Sequence, residues 1–236
     1  MGKLYLIPNT LGETGIGSVI PSEVIGLIKT IKIFASENPK NTRQFLKKID
    51  KSIPLEPLQF FELNEHSDRK QIEEGLSWLS KGDVGIISEA GCPGIADPGA
   101  ELVALAHSHN YQVVPLVGPS SILLALIASG CNGQNFSFNG YLPVKSNERN
   151  RALKNFERQS AQEDRTQIFI ETPYRNLKLF EEMLHILQPQ TKLAIACDIT
   201  TENEYIKTLP VQEWKKEKPD IHKRPAIFIV YAGKNK

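Results

Sequence analysis

With 236 residues, 40% of them hydrophobic, the chain has material for one large or two small domains around a real buried core. A net charge of +1 excludes a global electrostatic pull toward nucleic acid or a membrane surface, so an RNA substrate would need a local basic patch. The three cysteines, Cys92, Cys131 and Cys197, form no CxxC pair, the start MGKLYLIPN has no apolar stretch of signal-peptide length, and the longest apolar run, ILLALIAS, is too short for a bilayer; the expectation is a soluble cytoplasmic protein with no membrane contact.

In chain order, KLYLI reads as a first strand ended by Pro8, followed by the turn-rich PNTLGETGIGS. VIGLIKTIKIFASE passes from helical spacing into a short apolar strand, NTRQFLKKI is helical and LQFFEL is a third strand. DRKQIEEGLSWLSKG carries Ile72, Leu76 and Leu79 on one helical stripe and stops at Gly82. The strand VGIIS, the helix AELVALAHSHN and the strand YQVVPLV complete an alternation that predicts a parallel α/β sheet with its ligands at the carboxyl ends of the strands. Beyond a boundary near Val117–Pro119 the pattern changes: GPSSILLALIASG, NERNRALKNFERQ and RNLKLFEEMLHIL read as helices, and FSFNGYLP, TQIFIETP, KLAIACDIT and RPAIFIVYAG as strands, with NEYIKTLPVQEWKKE between the last two. The expected domains are residues 1–117, with a parallel sheet, and residues 118–236, with a mixed sheet.

The loop SEAGCPGIADPG, Ser88–Gly99, sits between a strand and a helix and holds three glycines, two prolines and two acids. It lacks the Lys-Ser/Thr of a phosphate-binding P-loop, and the GETGIGSVI glycines do not fit GxGxxG. Its glycines let backbone approach a ligand closely; equally, Asp97-Pro98 reads as a plain helix cap. Ser120 and Ser121 likewise read either as ligand contacts or as a cap for the helix that follows. The five histidines have no metal-ligand spacing, so no metal is expected, and Trp78 and Trp214 read as packing residues.

Taken together, LYLIPNTLGE, SEAGCPGIADPG, VVPLVGPSSILLAL, GYLPVKSNERNRAL, IFIETPYR and RPAIFIVYAG resemble, in order from Leu4 to Gly233, the motifs of the ribosomal RNA 2′-O-methyltransferases of the tetrapyrrole-methylase superfamily. The resemblance implies the two-domain α/β class III methyltransferase fold, with S-adenosylmethionine in the cleft between domains, and a homodimer. It implies cofactor contacts from Leu11, Ala90, Gly91, Cys92, Ile95, Ser120 and Ser121, and places Glu171, Cys197 and Pro225 at further cofactor-binding positions. Methyl transfer needs donor and acceptor held in line and the acceptor's proton removed. The candidates for that task are Glu89, Asp97 and Glu37, with Glu171 a further carboxylate and Lys145 able to lower a hydroxyl pKa or bind a phosphate.

The chain departs from the family pattern in places. Glu89 replaces an Asp; Asn38 and Lys40 replace an acid and an arginine; ELNEHSD only loosely echoes HxHNE; Tyr174 replaces a histidine; Cys197 and Thr201 replace an arginine and a lysine; and Pro225-Ala226 replaces Gly-Glu. The family's small C-terminal helical domain would follow where the chain ends at Lys236. The cofactor loops are thus kept better than the acceptor side. The cations Lys145, Arg149, Arg151, Lys154 and Arg158 read as a track for an RNA backbone or as a solvated face interleaved with Glu148 and Glu157. The leading expectation is methylation of an RNA ribose, as RNA or ribosomal subunit. The alternatives are a small-molecule acceptor such as a tetrapyrrole precursor, or a non-catalytic S-adenosylmethionine-binding protein.

Overall fold

The computed structural model describes residues 2–64 and 67–233, so Glu65 and His66 of ELNEHSD lie outside the described residues. The chain separates into two compact units, Met1–Ser120 and Ser121–Lys236.

Unit 1 contains, in order, β1 (Lys3–Ile7), α1 (Ile16–Val19), α2 (Ser22–Ile28), β2 (Ile33–Ser36), α3 (Pro39–Ile49), β3 (Gln59–Glu62), α4 (Arg69–Lys81), β4 (Val84–Ile87), α5 (Ala100–Ser108) and β5 (Gln112–Pro115). The strands pair in the order β3-β2-β4-β1-β5, all parallel. β4, VGII, is buried throughout, as a central strand of a doubly covered sheet must be. Alternation along the strands divides the core. Tyr5, Ile7 and Phe34 pack with Val24, Ile28, Phe45 and Leu46 of α2 and α3. Leu4, Ala35, Val84 and Ile86 pack with Ile72, Leu79, Leu102 and Ala106 of α4 and α5. α4 is opened by a reciprocal capping box between Asp68 and Gln71 and closed at Gly82.

The order of strands marks where a sheet of this kind takes its ligands. After β1 the chain crosses toward β2; after β4 it crosses β1 to reach β5. The loops leaving these two adjacent strands therefore diverge, which is the topological switch point where open parallel sheets take ligands. The loop after β4 is SEAGCPGIADPG.

Unit 2 contains α6 (Ser121–Ser129), β6 (Phe136–Tyr141), α7 (Ser146–Glu163), β7 (Thr166–Ile170), a 3₁₀ turn at Pro173–Arg175, α8 (Asn176–Ile186), β8 (Lys192–Cys197), β9 (Tyr205–Pro210), α9 (Val211–Trp214) and β10 (Ala226–Tyr231). Its sheet runs β6-β7-β10-β8-β9, with β6 and β7 parallel and the other pairs antiparallel. Leu153, Phe169, Leu179, Met183, Phe228 and Trp214 share one core. Trp214 is fully buried and donates from Nε1 to the Leu193 carbonyl at 2.7 Å, so its one polar atom is satisfied. The segment NEYIKTLPVQEWKKE, which has no clear sequence period, forms β9 and α9.

Candidate functional site

The loops after β1 and β4 are stitched together by Asn9. Its backbone N–H donates to the Gly91 carbonyl at 2.8 Å and its carbonyl accepts from the Gly91 N–H at 3.2 Å, an isolated antiparallel bridge. Its side-chain amide donates to the carbonyls of Ser88 and Glu89, both at 3.1 Å, and its Oδ1 accepts from Thr10 N–H at 2.8 Å. Sequence reasoning did not single out Asn9. The available signal was an Asn following Pro8 at a strand's carboxyl end, which is a turn-forming pair and nothing more.

Gly91 lies at φ +69°, where L side chains are disfavoured, and a Cβ there would come within 3.2 Å of Leu11 Cδ2 and 3.5 Å of the Pro119 carbonyl. Gly118 has no room for a side chain beside Pro8. The loops after β1, β4 and β5 thus converge on one backbone cradle, and Cys92 Sγ donates to the Pro119 carbonyl at 3.4 Å. Burial raises the Cys92 thiol, keeping it neutral. Leu11 is half-buried, Ala90 and Ile95 are exposed, and Ser88 is buried with its hydroxyl over the Ala90 and Gly91 carbonyls. Ala96 sits at φ +60°, strain of order 1–3 kcal/mol for a non-glycine residue, concentrated in the turn that carries Asp97.

Asp97 is not a helix cap. The residue capping α5 is Gly99 at φ +123°, with no side-chain bond to the helix. The Asp97 carboxyl instead is half-buried beside a cavity of about 390 Å³ walled by Leu63, Ile72, Leu102 and the turn itself. Burial pushes its pKa up to about 6, a hydrogen bond from Ser88 opposes the rise, and the Glu89 charge adds to it. Glu89 is exposed and its Oε2 accepts from Asn41 Nδ2 at 2.5 Å, so α3 holds the carboxylate that follows β4. Glu37 is half-buried, next to Asn38, whose Oδ1 caps α3. Unit 1 therefore brings Glu89 and Asp97 to the carboxyl end of β4 and Glu37 to that of the adjacent β2.

In unit 2, Ser121 opens α6 and is half-buried, as is Ser120 at the end of unit 1. Lys145 precedes α7, highly exposed, with Glu148 Oε1 at 3.4 Å. Glu171 is buried; its Oε1 accepts from Thr172 N–H at 2.6 Å and pairs with Arg175 Nη2 at 2.5 Å. Cys197 is fully buried in the core, and burial raises its thiol to about 11. Pro225 is exposed and its carbonyl accepts from Asp198 N–H at 3.0 Å. Arg149 overturns one sequence expectation: it is not a surface phosphate ligand. It donates to Glu182 at 2.5 and 2.6 Å and to the carbonyls of Pro143 and Val144 at 2.9 and 2.6 Å, buried at the base of α7.

Among the described residues no helix is long and apolar enough to cross a membrane, and no three His, Cys, Asp or Glu side chains are grouped to hold a metal.

The sequence profile of the Tetrapyrrole (Corrin/Porphyrin) Methylases matches residues 14–215. Ribosomal RNA small subunit methyltransferase I of Escherichia coli O157:H7 is 31% identical over 99% of this chain and 79% of its own length. The protein of the same name from Buchnera aphidicola subsp. Schizaphis graminum is 32% identical over 98% of this chain and 79% of its own. Among solved structures, the methyltransferase CobJ superposes with TM-score 0.65 at 16% identity, covering 100% of this chain and 97% of that one. Uroporphyrin-III C-methyltransferase from Thermus thermophilus, complexed with S-adenosylhomocysteine, gives 0.57 at 16% identity and 98% of each chain.

Proposed function

We propose a function from one premise: this chain belongs to the tetrapyrrole (corrin/porphyrin) methylase family, S-adenosylmethionine-dependent methyltransferases with this two-sheet α/β fold. The acceptor we propose is a ribose 2′-hydroxyl of small-subunit ribosomal RNA. What supports it is the extent of one likeness: about a third of residues are identical to ribosomal RNA small subunit methyltransferase I proteins across 98–99% of the chain. The two solved structures, at 16% identity, support the fold alone.

The cradle around Gly91 is where the methyl donor is placed, because the positive φ of Gly91 and the tight packing of Leu11 and Pro119 beside it hold the loops after β1, β4 and β5 together at the carboxyl ends of the strands. In this reading Leu11, Ala90, Gly91, Cys92 and Ile95 hold the donor, with Ser120 and Ser121 as hydroxyl contacts. Glu171, Cys197 and Pro225 are assigned to it by motif position; the first two are buried, so their part falls to backbone atoms. Bound there, S-adenosylmethionine supplies a methyl group already activated by its sulfonium. The protein's share is orientation and proton removal. Asp97 is the proposed base: with a pKa near 6 it is largely ionised at neutral pH yet basic enough to accept the hydroxyl proton at its carboxylate. Glu89, held by Asn41, and Glu37 orient the acceptor, and Lys145, exposed beside Glu148, offers a cation for a phosphate. A homodimer and a cytoplasmic setting belong to the same reading, the first tested by light scattering.

The test is transfer of tritiated methyl from the donor to small ribosomal subunits, free ribosomal RNA and a small-metabolite extract, all from cells lacking the protein. Label in an RNA ribose is expected. Label in the metabolite fraction alone would move the acceptor to a small molecule, and no label with donor still bound would favour a non-catalytic binding protein.

A further inference from the structure

α7 carries cations and acids in alternation, and the structure separates them. Glu148 turns back to Lys145. Glu157 is buried and accepts from Thr191 Oγ1 at 2.5 Å and from Gln188 N–H at 2.7 Å. Glu163 pairs with Arg165 at 2.7 Å, and the Asp164 that caps the helix accepts from Tyr231 Oη and from Asn132. Arg149 is internal. That leaves Arg151, Lys154 and Arg158 exposed, and among the described residues no carboxylate lies within ion-pair distance of any of them. Arg158 donates only to the neutral Asn155 Oδ1, at 2.7 Å.

These three follow at intervals of three and four residues, so they share one helix face over about 10 Å of axis. Lys154 and Arg158 stand at i,i+4, a like-charge spacing that is unfavourable until an anion lies between them. They also wall two neighbouring concavities. One, of about 750 Å³, is shared with Arg151, Asn155 and Glu148, the last with its carboxylate 3.4 Å from Lys145. The other, of about 410 Å³, is shared with Lys192 at the head of β8, whose Nζ lies 6.0 Å from the centre of the Tyr231 ring, with Gln188 and Gln190, and with Glu157, whose Oε1 is taken up by Thr191 and the Gln188 N–H. Each concavity thus has unneutralised cations in its wall, and the same two cations join them.

We infer that Arg151, Lys154, Arg158 and Lys192 form a phosphodiester-binding track for the RNA acceptor, running along α7 onto the start of β8; this rests on the RNA reading above. A polyanion with regularly spaced charges matches a row of cations about 10 Å long better than one isolated carboxylate does, since about three phosphates of a duplex strand fall in that length.

The test uses the full chain with small subunits and with a labelled ribosomal RNA fragment. Binding is measured from about 50 to about 200 mM salt for wild type, the triple variant R151Q/K154Q/R158Q, the single variant K192Q, and K218Q as a charge-matched control off the track. Loss of each track contact should make the slope of log affinity against log salt shallower by about 0.7–0.9. The triple variant then loses about 2 to 3 from the slope, and its KM for subunits rises more than its kcat falls. K218Q should match wild type, and melting curves confirm that the variants fold. RNA methylation by wild type with an unchanged slope and KM in the triple and K192Q variants overturns the track and leaves the proposed function intact. If wild type neither binds nor methylates RNA, the function fails and the track with it.

Discussion

In unit 2 the buried charges are each held by protein groups: Arg149 pairs with Glu182, Glu171 with Arg175, and Glu157 accepts from the Thr191 hydroxyl and the Gln188 backbone N–H. Unit 1 buries no charged side chain among its described residues; its buried polar groups are hydroxyls such as Ser36, Thr42 and Ser88. Its acids Glu37, Glu89 and Asp97 collect instead where parallel strands end. The contrast follows from topology. An all-parallel sheet sends every strand's carboxyl end to one edge, so polar groups in those loops gather at a single place and remain open to a ligand. A mixed sheet distributes its loops to both edges, and in unit 2 the buried ions fix turns and helix bases. Burial alone therefore does not mark a working group; a half-buried acid in a loop at the carboxyl end of a parallel strand, with its pKa raised, is a candidate for one.

The sharpest way to break this contrast is to remove Asp97, a half-buried acid of unit 1 that makes no ion pair among the described residues. Asp97→Asn should lower kcat by about 10²- to 10⁴-fold if Asp97 takes the acceptor's proton. Wild-type initial rates should climb as pH rises through about 6, because the carboxyl must lose its own proton first, and the variant should lack that limb. The stability sign runs the other way. The folded pKa lies above the ordinary carboxylate value, so the penalty is absent at pH below about 4 and fully present above about 6. Asp97→Asn should therefore unfold at higher urea than wild type at pH 7. A variant with full activity and a flat stability difference would make Asp97 an ordinary loop acid.

Next in size is Glu182→Ala, which strands the Arg149 guanidinium inside unit 2. Loss of one member of a buried pair typically costs about 3–5 kcal/mol, and Glu182 keeps some solvent contact, so about 3 kcal/mol is expected in urea unfolding. A loss under about 1 kcal/mol would place the pair with surface ion pairs and dissolve the contrast.

The fold was legible because both kinds of periodicity are strong: VGII as a buried strand, the Ile72–Leu79 stripe closed by Gly82, and the strand–helix alternation that demands a parallel sheet. β9 was not, since YIKTLP pairs only with β8, is partly exposed along its length and alternates weakly. In the site, the glycines and prolines of the Ser88–Gly99 loop announced a close backbone approach, yet the text of the sequence could not decide whether Asp97 caps α5; the answer depends on Gly99 taking φ +123° and assuming the cap position itself. The fate of Arg149 was equally hidden, because its partner Glu182 lies on another helix thirty-three positions away. Local pattern shows that a helix is basic; only tertiary pairing shows which cations are free.

A smaller effect separates the cradle from its neighbours. Gly91→Val should weaken donor binding by about 10- to 100-fold in calorimetric titration, since a β-branched residue at φ +69° costs about 1–3 kcal/mol and its side chain meets Leu11 and the Pro119 carbonyl. Gly94→Ala, also at positive φ but with open space around its Cβ position, should weaken it less. Equal losses would mean that loop strain, and not the backbone approach at Gly91, governs binding.

The smallest expected effect tests whether the Asn41–Glu89 bond in unit 1 positions a working carboxylate or merely decorates the surface. Glu89 is exposed, and exposed hydrogen bonds contribute little to folding, so Asn41→Ala should leave Tm within about 1–2 °C of wild type. Its effect should appear in turnover: a carboxylate one methylene longer than the family's Asp has an extra rotatable bond, and Asn41 removes that freedom by holding Oε2 at 2.5 Å. A fall in kcat of about 3- to 10-fold is expected, matching an interaction of about 1 kcal/mol. Glu89→Asp withdraws the oxygen from Asn41 and should lose turnover by a comparable factor. If the two residues act through one bond, the double variant should be scarcely worse than either single one, a coupling that additive surface effects cannot mimic. Additive losses would show that Asn41 and Glu89 serve separately; no loss in any of the three would leave Asp97 as the sole working acid at the end of β4.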